Sequence, residues 1–228
     1  MEHISMILLS GGIGARMKAS VPKQFLPIGG KPIIVHVLDK LENIKEISEI
    51  VVPSPRNYME QTKEIIRNYQ FSKPIQVIEG GKTRQESVYK ALRCVTRENV
   101  LIHESVRPFV TKEEFERLIQ TEERNATYGM DIPFTVLEGG EYIEKNLDRS
   151  RLINIQLPQK FDTAKLLAAH EQAIKDGKTF TEDVSLYFHY NGERIKVLRG
   201  TEYNIKITRP IDQTIGEIIY KEYILGGE

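Results

Sequence analysis

Short apolar runs alternate with helical patterns along most of the 228-residue chain. The apolar run Ile4–Leu9 predicts a first strand, and apolar residues at helical spacing predict a helix over Pro32–Leu41, with Pro32 in its first turn. Further strand-like runs occupy 46–53, 74–81 and 98–103, and further helical patterns occupy 57–69, 83–95 and 111–123. This alternation is typical of βαβ units, so the sequence predicts an α/β fold with a mostly parallel sheet.

The regularity changes after Ala126. Residues 127–157 form extended patterns around the pair Gly139 and Gly140, which predicts a protruding β-hairpin over about residues 135–150. Helical patterns then return, with Gly177 and Gly192 as expected C-terminal stops. The predicted elements of this last part are helices at 162–177 and 181–192, a strand at 194–200 and a helix after Pro210.

Composition narrows the classes of protein that fit. The chain has 32 basic and 32 acidic side chains, so no overall field draws it to nucleic acid or to anionic lipid. No apolar run approaches the length of a membrane span, and the start has no signal-peptide pattern. Cys94 is the single cysteine, which fits a reducing cytoplasm. Without repeats or a linker-like stretch, we expect one domain over residues 1–228 and any anion site to be local.

A glycine-rich stretch directly after the first strand is the candidate anion site. It reads LLSGGIGARMKASVPKQFLPIGGKP from Leu8 to Pro32, and it carries the cations Arg16 and Lys23. Glycine turns between a strand and a helix expose backbone amides that can bind phosphate. Arg16 presents a guanidinium fork and Lys23 a compact ammonium, both suited to phosphate oxygens. The stretch therefore predicts a nucleoside triphosphate site with cations for phosphoryl transfer.

The glycines allow three other interpretations. A dinucleotide-binding turn needs a third glycine where Met17 stands and an acid about 20 residues on, where the chain is apolar. A P-loop ending at Thr83 would need its first glycine at Gln76. A glycine turn that serves packing alone stays open for the glycines themselves, but it does not account for both cations.

The motifs resemble a known family. GGxGxRM followed by PKQFLPIGGKPII is similar to the cytidylyltransferases that join CTP to a polyol phosphate, namely the 2-C-methyl-D-erythritol 4-phosphate and ribitol 5-phosphate enzymes. Five further blocks resemble that family in the same order: EGGKTRQESVYKAL, HESVRPFV, LDRSRLINIQLPQKF, TEDVSL and GTEYNIKITRPID. The resemblance implies a Rossmann-like three-layer nucleotidyltransferase fold whose hairpin arm embraces a second subunit in a homodimer.

The resemblance also implies a set of site residues. Catalytic roles at the phosphates fall on Arg16, Lys23 and Lys206. Nucleotide-binding roles fall on Ser10, Gly11, Gly12, Gly14, Gly81, Arg84, Ser87 and Glu104, and Glu104 is also a candidate ligand for a Mg²⁺ cofactor. Acceptor-binding roles fall on Arg107, Arg149, Thr181 and Lys206, with Arg149 expected to act across the dimer.

Some positions depart from the family pattern. Glu104 stands for the family's aspartate, 136–139 replaces its DTxK stretch, and Leu157 replaces a threonine. Loss of hydroxyl and amine donors costs about 1 to 3 kcal/mol per missing buried hydrogen bond. We therefore expect a cytidylyltransferase with an acceptor altered from methylerythritol phosphate. A nucleotidyltransferase that uses another triphosphate and a non-catalytic nucleotide-binding homologue are the alternatives.

The histidines suggest no metal site, because HESVR is not HExxH and no second histidine follows at ligand spacing. His103 is expected to end a strand near the nucleotide, and His36 to lie on a packed helix face. His170 and His189 are expected on helix surfaces.

Overall fold

A seven-stranded sheet forms the centre of the protein in a computed structural model that describes residues 3–11 and 22–225. The strands are β1 (Ile4–Leu9), β2 (Pro27–Ile28), β3 (Lys31–Pro32), β4 (Ile47–Ser54), β5 (Ile75–Glu79), β6 (Asn99–Glu104), β7 (Ala126–Asp131), β8 (Leu137–Gly139), β9 (Ile143–Asn146), β10 (Ile153–Asp162) and β11 (Lys196–Arg199). The helices are α1 (Ile33–Glu42), α2 (Met59–Tyr69), α3 (Arg84–Leu92), α4 (Lys112–Gln120), α5 (Thr163–Lys175), α6 (Asp183–Asn191) and α7 (Pro210–Ile219).

The main sheet is mostly parallel, as predicted. Its strand order is β11-β7-β10-β6-β1-β4-β5, and β10 alone runs antiparallel to its two neighbours. The remaining neighbouring pairs, β1 with β4 and β6, β4 with β5, and β7 with β11, are parallel. The carboxyl ends of β1, β4, β5 and β6 therefore share one edge of the sheet.

The central strand β1 is buried over its whole length because helices cover both faces of the sheet. Met6 and Leu8 pack in a core with α1 and α4. Ile7 and Leu9 point the other way and pack in a core with α3, α5 and α6. The result is the three-layer α/β arrangement that the family resemblance implied.

Most predicted elements lie within a few residues of their expected bounds. The first strand matches its prediction, whereas Pro32 precedes α1 as its N-cap instead of joining the first turn. Gly177 and Gly192 adopt left-handed φ angles of 64° and 62° after α5 and α6, so the two predicted stops are confirmed.

The predicted hairpin arm is present. Strand β8 pairs antiparallel with β9, and the side chains of both strands are exposed. Gly139 has a φ of 150°, and a Cβ there would lie 2.2 Å from the carbonyl oxygen of Tyr142. The turn therefore requires glycine at this position.

Within the two described stretches, no helix combines the length and the apolar character that crossing a membrane requires.

Candidate active site

A cavity of about 350 Å³ lies at the shared carboxyl edge of the central strands. Chain ends from β1 and β6 meet there because Leu9 pairs with Glu104 in the sheet. The cavity wall brings together eight of the predicted site residues: Ser10, Gly11, Lys23, Gly81, Arg84, Ser87, Glu104 and Lys206. Gly12, Gly14 and Arg16 lie outside the described residues.

The turn that carries Lys23 is attached to the end of β1. Gln24 is fully buried, and its Nε2 donates a hydrogen bond of 2.9 Å to the carbonyl oxygen of Ser10. Ser10 in turn donates its backbone N–H to Pro53 at 3.1 Å. Gln24 was not predicted as a site residue, although it stands within the PKQF motif. Its buried amide places Lys23 in the wall of the cavity.

The loop before α3 forms another part of the cavity wall and requires glycine. A Cβ on Gly81 would lie 2.4 Å from Cβ of Glu86, which no packing tolerates. The backbone N–H of Gly81 donates to Oγ of Ser87 at 2.9 Å, and that hydroxyl donates to the carbonyl oxygen of Thr83 at 2.9 Å. Ser87 therefore shapes the loop with its hydroxyl while its small side chain lines the cavity.

Glu104 sits beneath the cavity at the centre of three cations. Its carboxylate lies 2.7 Å from Nζ of Lys206, 3.1 Å from Nε of Arg107 and 3.7 Å from Nε of Arg84. Burial raises the pKa of Glu104, but the attraction of Lys206, Arg107 and Arg84 outweighs burial and lowers the pKa to about 2. The group is therefore ionised at neutral pH, and it holds three positive charges close together.

These contacts bear on the predicted magnesium ligand. Both oxygens of Glu104 already take part in ion pairs. Across residues 3–11 and 22–225, no group of three or more His, Cys, Asp or Glu side chains could hold a metal ion. The described side chains therefore do not by themselves form a magnesium centre, and phosphate oxygens and water would have to supply most ligands.

Arg84 is bound on its far side by two acids that the sequence analysis missed. Its guanidinium lies 2.7 Å from Asp183 and 3.1 Å from Glu182. Burial lowers the pKa of Arg84, but Asp183, Glu182 and Glu104 raise it further than burial lowers it. Both acids stand in the TEDVSL block, where only Thr181 was predicted. Thr181 itself is exposed, and it lines neither this cavity nor a second cavity that adjoins it.

A second cavity of about 530 Å³ adjoins the first through Lys206, which lines both. Arg107 also lines this second cavity, so two of the predicted acceptor-binding cations lie together there. Its other polar lining residues are Asp131, Asn154, Gln156, Glu202 and Asn204. An anion in either cavity would therefore lie beside Lys206.

The loop that carries Lys206 is attached at two points beside it. Asn204 is buried, and its Nδ2 donates to the carbonyl oxygen of Leu157 at 2.6 Å. Ile207 is also buried and donates its backbone N–H to Val106 at 2.9 Å. The Lys206 ammonium therefore projects from a backbone that does not depend on a ligand for its position.

Arg149 lies apart from both cavity walls. It is exposed in the short turn Arg149–Arg151, and its Nη1 donates to the carbonyl oxygen of Pro133 at 2.8 Å. Pro133 lines the second cavity. Arg149 is thus close to that cavity in this chain without forming part of its wall.

The positions that depart from the family pattern also lie outside the walls. Leu157 is 1% exposed and packs in the interior, and 136–139 belongs to the arm. Neither contributes to the lining of either cavity. The inference that lost donors at these positions alter the acceptor site therefore has no support from this geometry.

The histidines differ partly from expectation. His36 is packed and His189 exposed, as predicted. His103 lies in β6, where burial lowers its pKa to about 3, so the ring is neutral. His170 is 0% exposed, so its prediction as a surface residue is wrong. Its position on α5 faces α6 instead of solvent, because its Nε2 lies 3.1 Å from Oδ1 of Asp183.

Comparison with known proteins gives a consistent result. The family model for 2-C-methyl-D-erythritol 4-phosphate cytidylyltransferase matches residues 4–222. The enzyme of that name from Halalkalibacterium halodurans is 34% identical over 226 residues, covering 97% of this chain and 98% of that protein. The one from Clostridium acetobutylicum is 36% identical over 224 residues, covering 95% and 96%.

Solved structures agree with these sequence relatives. The 4-diphosphocytidyl-2C-methyl-D-erythritol synthase from Anaerococcus prevotii superposes with a TM-score of 0.85 at 28% identity, covering 96% of each chain. The 2-C-methyl-D-erythritol 4-phosphate cytidylyltransferase from Thermus thermophilus gives 0.77 at 26% identity, covering 97% of this chain and 100% of that one. With the motif order, the sheet and nearly the whole length in agreement, this chain belongs to the 2-C-methyl-D-erythritol 4-phosphate cytidylyltransferase family of nucleotidyltransferases.

Proposed function

We propose that the protein transfers CMP from CTP to the phosphate of 2-C-methyl-D-erythritol 4-phosphate, with release of pyrophosphate. The observation that carries the proposal is the position of Lys206, whose ammonium lies between a glycine-walled cavity and a second cavity that also contains Arg107. A nucleotide in the first cavity and a phosphorylated alcohol in the second would meet at this cation.

The acceptor in this proposal differs from the expectation of an altered one. Leu157 and residues 136–139, which suggested the change, do not line the second cavity. The relatives that cover nearly the whole chain are named for methylerythritol phosphate. The second cavity also offers matching chemistry, since Arg107 can pair with a phosphate, Asn154 can bind a hydroxyl, and Phe134 can contact a methyl group.

The proposed reaction needs no general base. An acceptor phosphate oxygen, already anionic, attacks the α-phosphorus of CTP, and the bond from that phosphorus to the β-phosphate oxygen breaks. The new P–O bond gives the CDP-alcohol, and pyrophosphate takes the electron pair. The chain's task is to hold two anions together and to stabilise added charge on the non-bridging oxygens. Lys23 and Lys206, which are distant in the sequence, provide that charge in the wall of the same cavity.

Glu104 would make this cationic site stable before substrate arrives. Its carboxylate neutralises part of the repulsion among Lys206, Arg107 and Arg84. Incoming phosphate oxygens would share Lys206 with it. Mg²⁺, if bound by the triphosphate oxygens, would neutralise charge on the leaving pyrophosphate.

The proposal is tested by pyrophosphate release from each of the four triphosphates, with methylerythritol phosphate, ribitol 5-phosphate or no acceptor. We expect release with CTP and methylerythritol phosphate, and a product with the mass of the CDP-alcohol. Turnover with ribitol phosphate but not with methylerythritol phosphate would contradict the proposed acceptor. Turnover with a triphosphate other than CTP would contradict the proposed nucleotide. CTP binding without turnover on any acceptor would favour the non-catalytic homologue.

Lys206→Ala and Lys23→Ala are each expected to reduce kcat at least about a hundredfold, because each removes a preorganised cation from the reacting phosphates. Steady-state kinetics and circular dichroism should show lost turnover in a folded protein. Lys63→Ala is the matched control, since Lys63 pairs with Glu60 on α2 away from both cavities. Near-normal turnover in Lys206→Ala or Lys23→Ala would reject that residue's catalytic role.

Glu104 should contribute stability that depends on pH. Its pKa falls from 4.5 to about 2 on folding, so its contribution is complete above pH 4.5 and is lost as the pH falls towards 2. The destabilisation caused by Glu104→Gln should therefore be smaller at pH 3.5 than at pH 7, by about 1.4 kcal/mol. Urea unfolding at both pH values measures it, with the exposed Glu171→Gln as control. Equal destabilisation by Glu104→Gln at the two pH values would contradict the assignment.

We also propose that the chain forms a homodimer through the arm over residues 135–150, with Arg149 acting towards the partner's site. The support is an exposed apolar surface on and beside the arm. Phe134, Tyr142 and Ile143 are 75%, 76% and 74% exposed. Large apolar side chains exposed near one another are typical of a protein–protein contact. Arg149, exposed and bound only to a carbonyl at the arm's base among described contacts, is free to turn outward.

Replacement of Ile143 by glutamate should convert the dimer to a monomer, because a charge would enter the apolar contact. Light scattering after size-exclusion chromatography gives the mass directly. Ile174→Glu, at a position 54% exposed on α5, is the control and should leave the mass unchanged. A wild-type chain that runs as a monomer at micromolar concentration would refute the proposed dimer.

A further inference from the structure

A fully buried pair, His170 and Asp183, lies behind the nucleotide cavity and lines neither cavity. His170 belongs to α5 and is 0% exposed, and Asp183 is the first residue of α6 and is 1% exposed. Nε2 of His170 lies 3.1 Å from Oδ1 of Asp183. Neither the motif resemblance nor the reaction chemistry assigns a role to this ring.

The pair connects directly to the cavity wall. The other oxygen of Asp183, Oδ2, accepts a hydrogen bond of 2.7 Å from Nη1 of Arg84. Nε of Arg84 lies 3.7 Å from Glu104, which holds Lys206. A continuous line of polar contacts therefore runs from the interior of α5 to the ammonium between the two cavities.

The direction of the hydrogen bond follows from charge. Burial raises the pKa of Asp183, but Arg84 and His170 lower it by more, so the carboxylate is ionised and can only accept. Nε2 of His170 must therefore carry a hydrogen and donate it. Nδ1 of the same ring is buried and has no hydrogen-bond partner in the described part of the chain. The ring thus has one polar contact there, and that contact is Asp183.

We propose that His170 is a positioning residue for nucleotide binding, which holds the Asp183 carboxylate in the orientation that keeps Arg84 in the cavity wall. With Oδ1 occupied by the imidazole, only Oδ2 faces the guanidinium, and Arg84 keeps its remaining nitrogens towards Glu182 and Glu104. Without the ring, a buried Oδ1 lacks a donor. The carboxylate then turns to take a second hydrogen bond from Arg84 and draws the guanidinium away from Glu104.

The fold does not depend on this contact alone. Gln85, next to Arg84, accepts a hydrogen bond of 2.8 Å from the backbone N–H of Phe180 and donates to the carbonyl oxygen of Lys178. These bonds join the start of α3 to the segment before α6 independently of His170. Loss of the ring should therefore change the orientation of Arg84 in a protein that still folds.

The first test compares two substitutions in the protein without substrate. His170→Gln keeps a donor near the Nε2 position, whereas His170→Leu keeps the volume and removes the donor. Hydrogen exchange at Nε–H of Arg84, followed by NMR and assigned with Arg84→Lys, should accelerate in the leucine variant and stay close to wild type in the glutamine variant. His189→Leu, an exposed histidine on α6, is the control. Unchanged exchange in a folded His170→Leu protein would overturn the proposal.

The second test measures CTP binding by calorimetry without acceptor, and it rests on the proposed function. His170→Leu should weaken CTP binding about tenfold, the expected effect of one lost hydrogen bond to a charged group, and separate steady-state kinetics should show the acceptor KM nearly unchanged. In an Arg84→Ala background the same substitution should have no further effect. Equal weakening in both backgrounds would indicate a general structural role and reject positioning through Arg84. If the wild type binds no CTP, the proposed function fails, and the exchange test still decides the role of His170.

Discussion

The ion cluster around Glu104 is the interaction on which the site depends. Lys206, Arg107 and Arg84 come from three separate parts of the sequence, and their mutual repulsion would separate them without a shared anion. A surface carboxylate could not do this, because water would screen it. Glu104 is 6% exposed at the end of a central strand, so water screens its attraction to the three cations less than it would screen a surface carboxylate's.

The placement of that carboxylate follows from the sheet. Because β1 and β6 are parallel neighbours, the chain leaves both at the same edge, and Ser10 and Glu104 enter the same cavity. A buried, almost wholly apolar β1 was predictable from Ile4–Leu9, since strands covered on both faces carry unbroken apolar runs. The stops at Gly177 and Gly192 were predictable for an equally local reason, the left-handed conformation. Local chemistry thus predicted much of the fold.

The contacts behind the cavity were not predictable in this way. Arg84 and Asp183 are 99 positions apart, and no periodicity in either segment indicates that they meet. The prediction for His170 was wrong for a related reason. A helix has a buried side and an exposed side, and the Ala and Glu neighbours of this ring do not indicate that Asp183 lies on the buried side.

Leu157 shows the converse error. A threonine replaced by leucine suggested a lost donor in the acceptor site, but the side chain is buried elsewhere and only its carbonyl oxygen, bound to Asn204, supports the site.

Buried hydrogen bonds of this kind hold several cations around one cavity, although the chain as a whole has no net charge. The loops that carry Lys23 and Lys206 are each attached by a buried amide that carries no charge itself: Gln24 binds Ser10 beside Lys23, and Asn204 binds Leu157 beside Lys206. The free energy of placing the cations is therefore spent during folding, in hydrogen bonds that a substrate does not disturb. A site assembled in this way has little left to reorganise when charge develops on a phosphate, which is the condition under which fixed charges lower a barrier most. The uncharged hydrogen bonds of Gln24 and Asn204 therefore set the geometry in which the ammonium groups of Lys23 and Lys206 act.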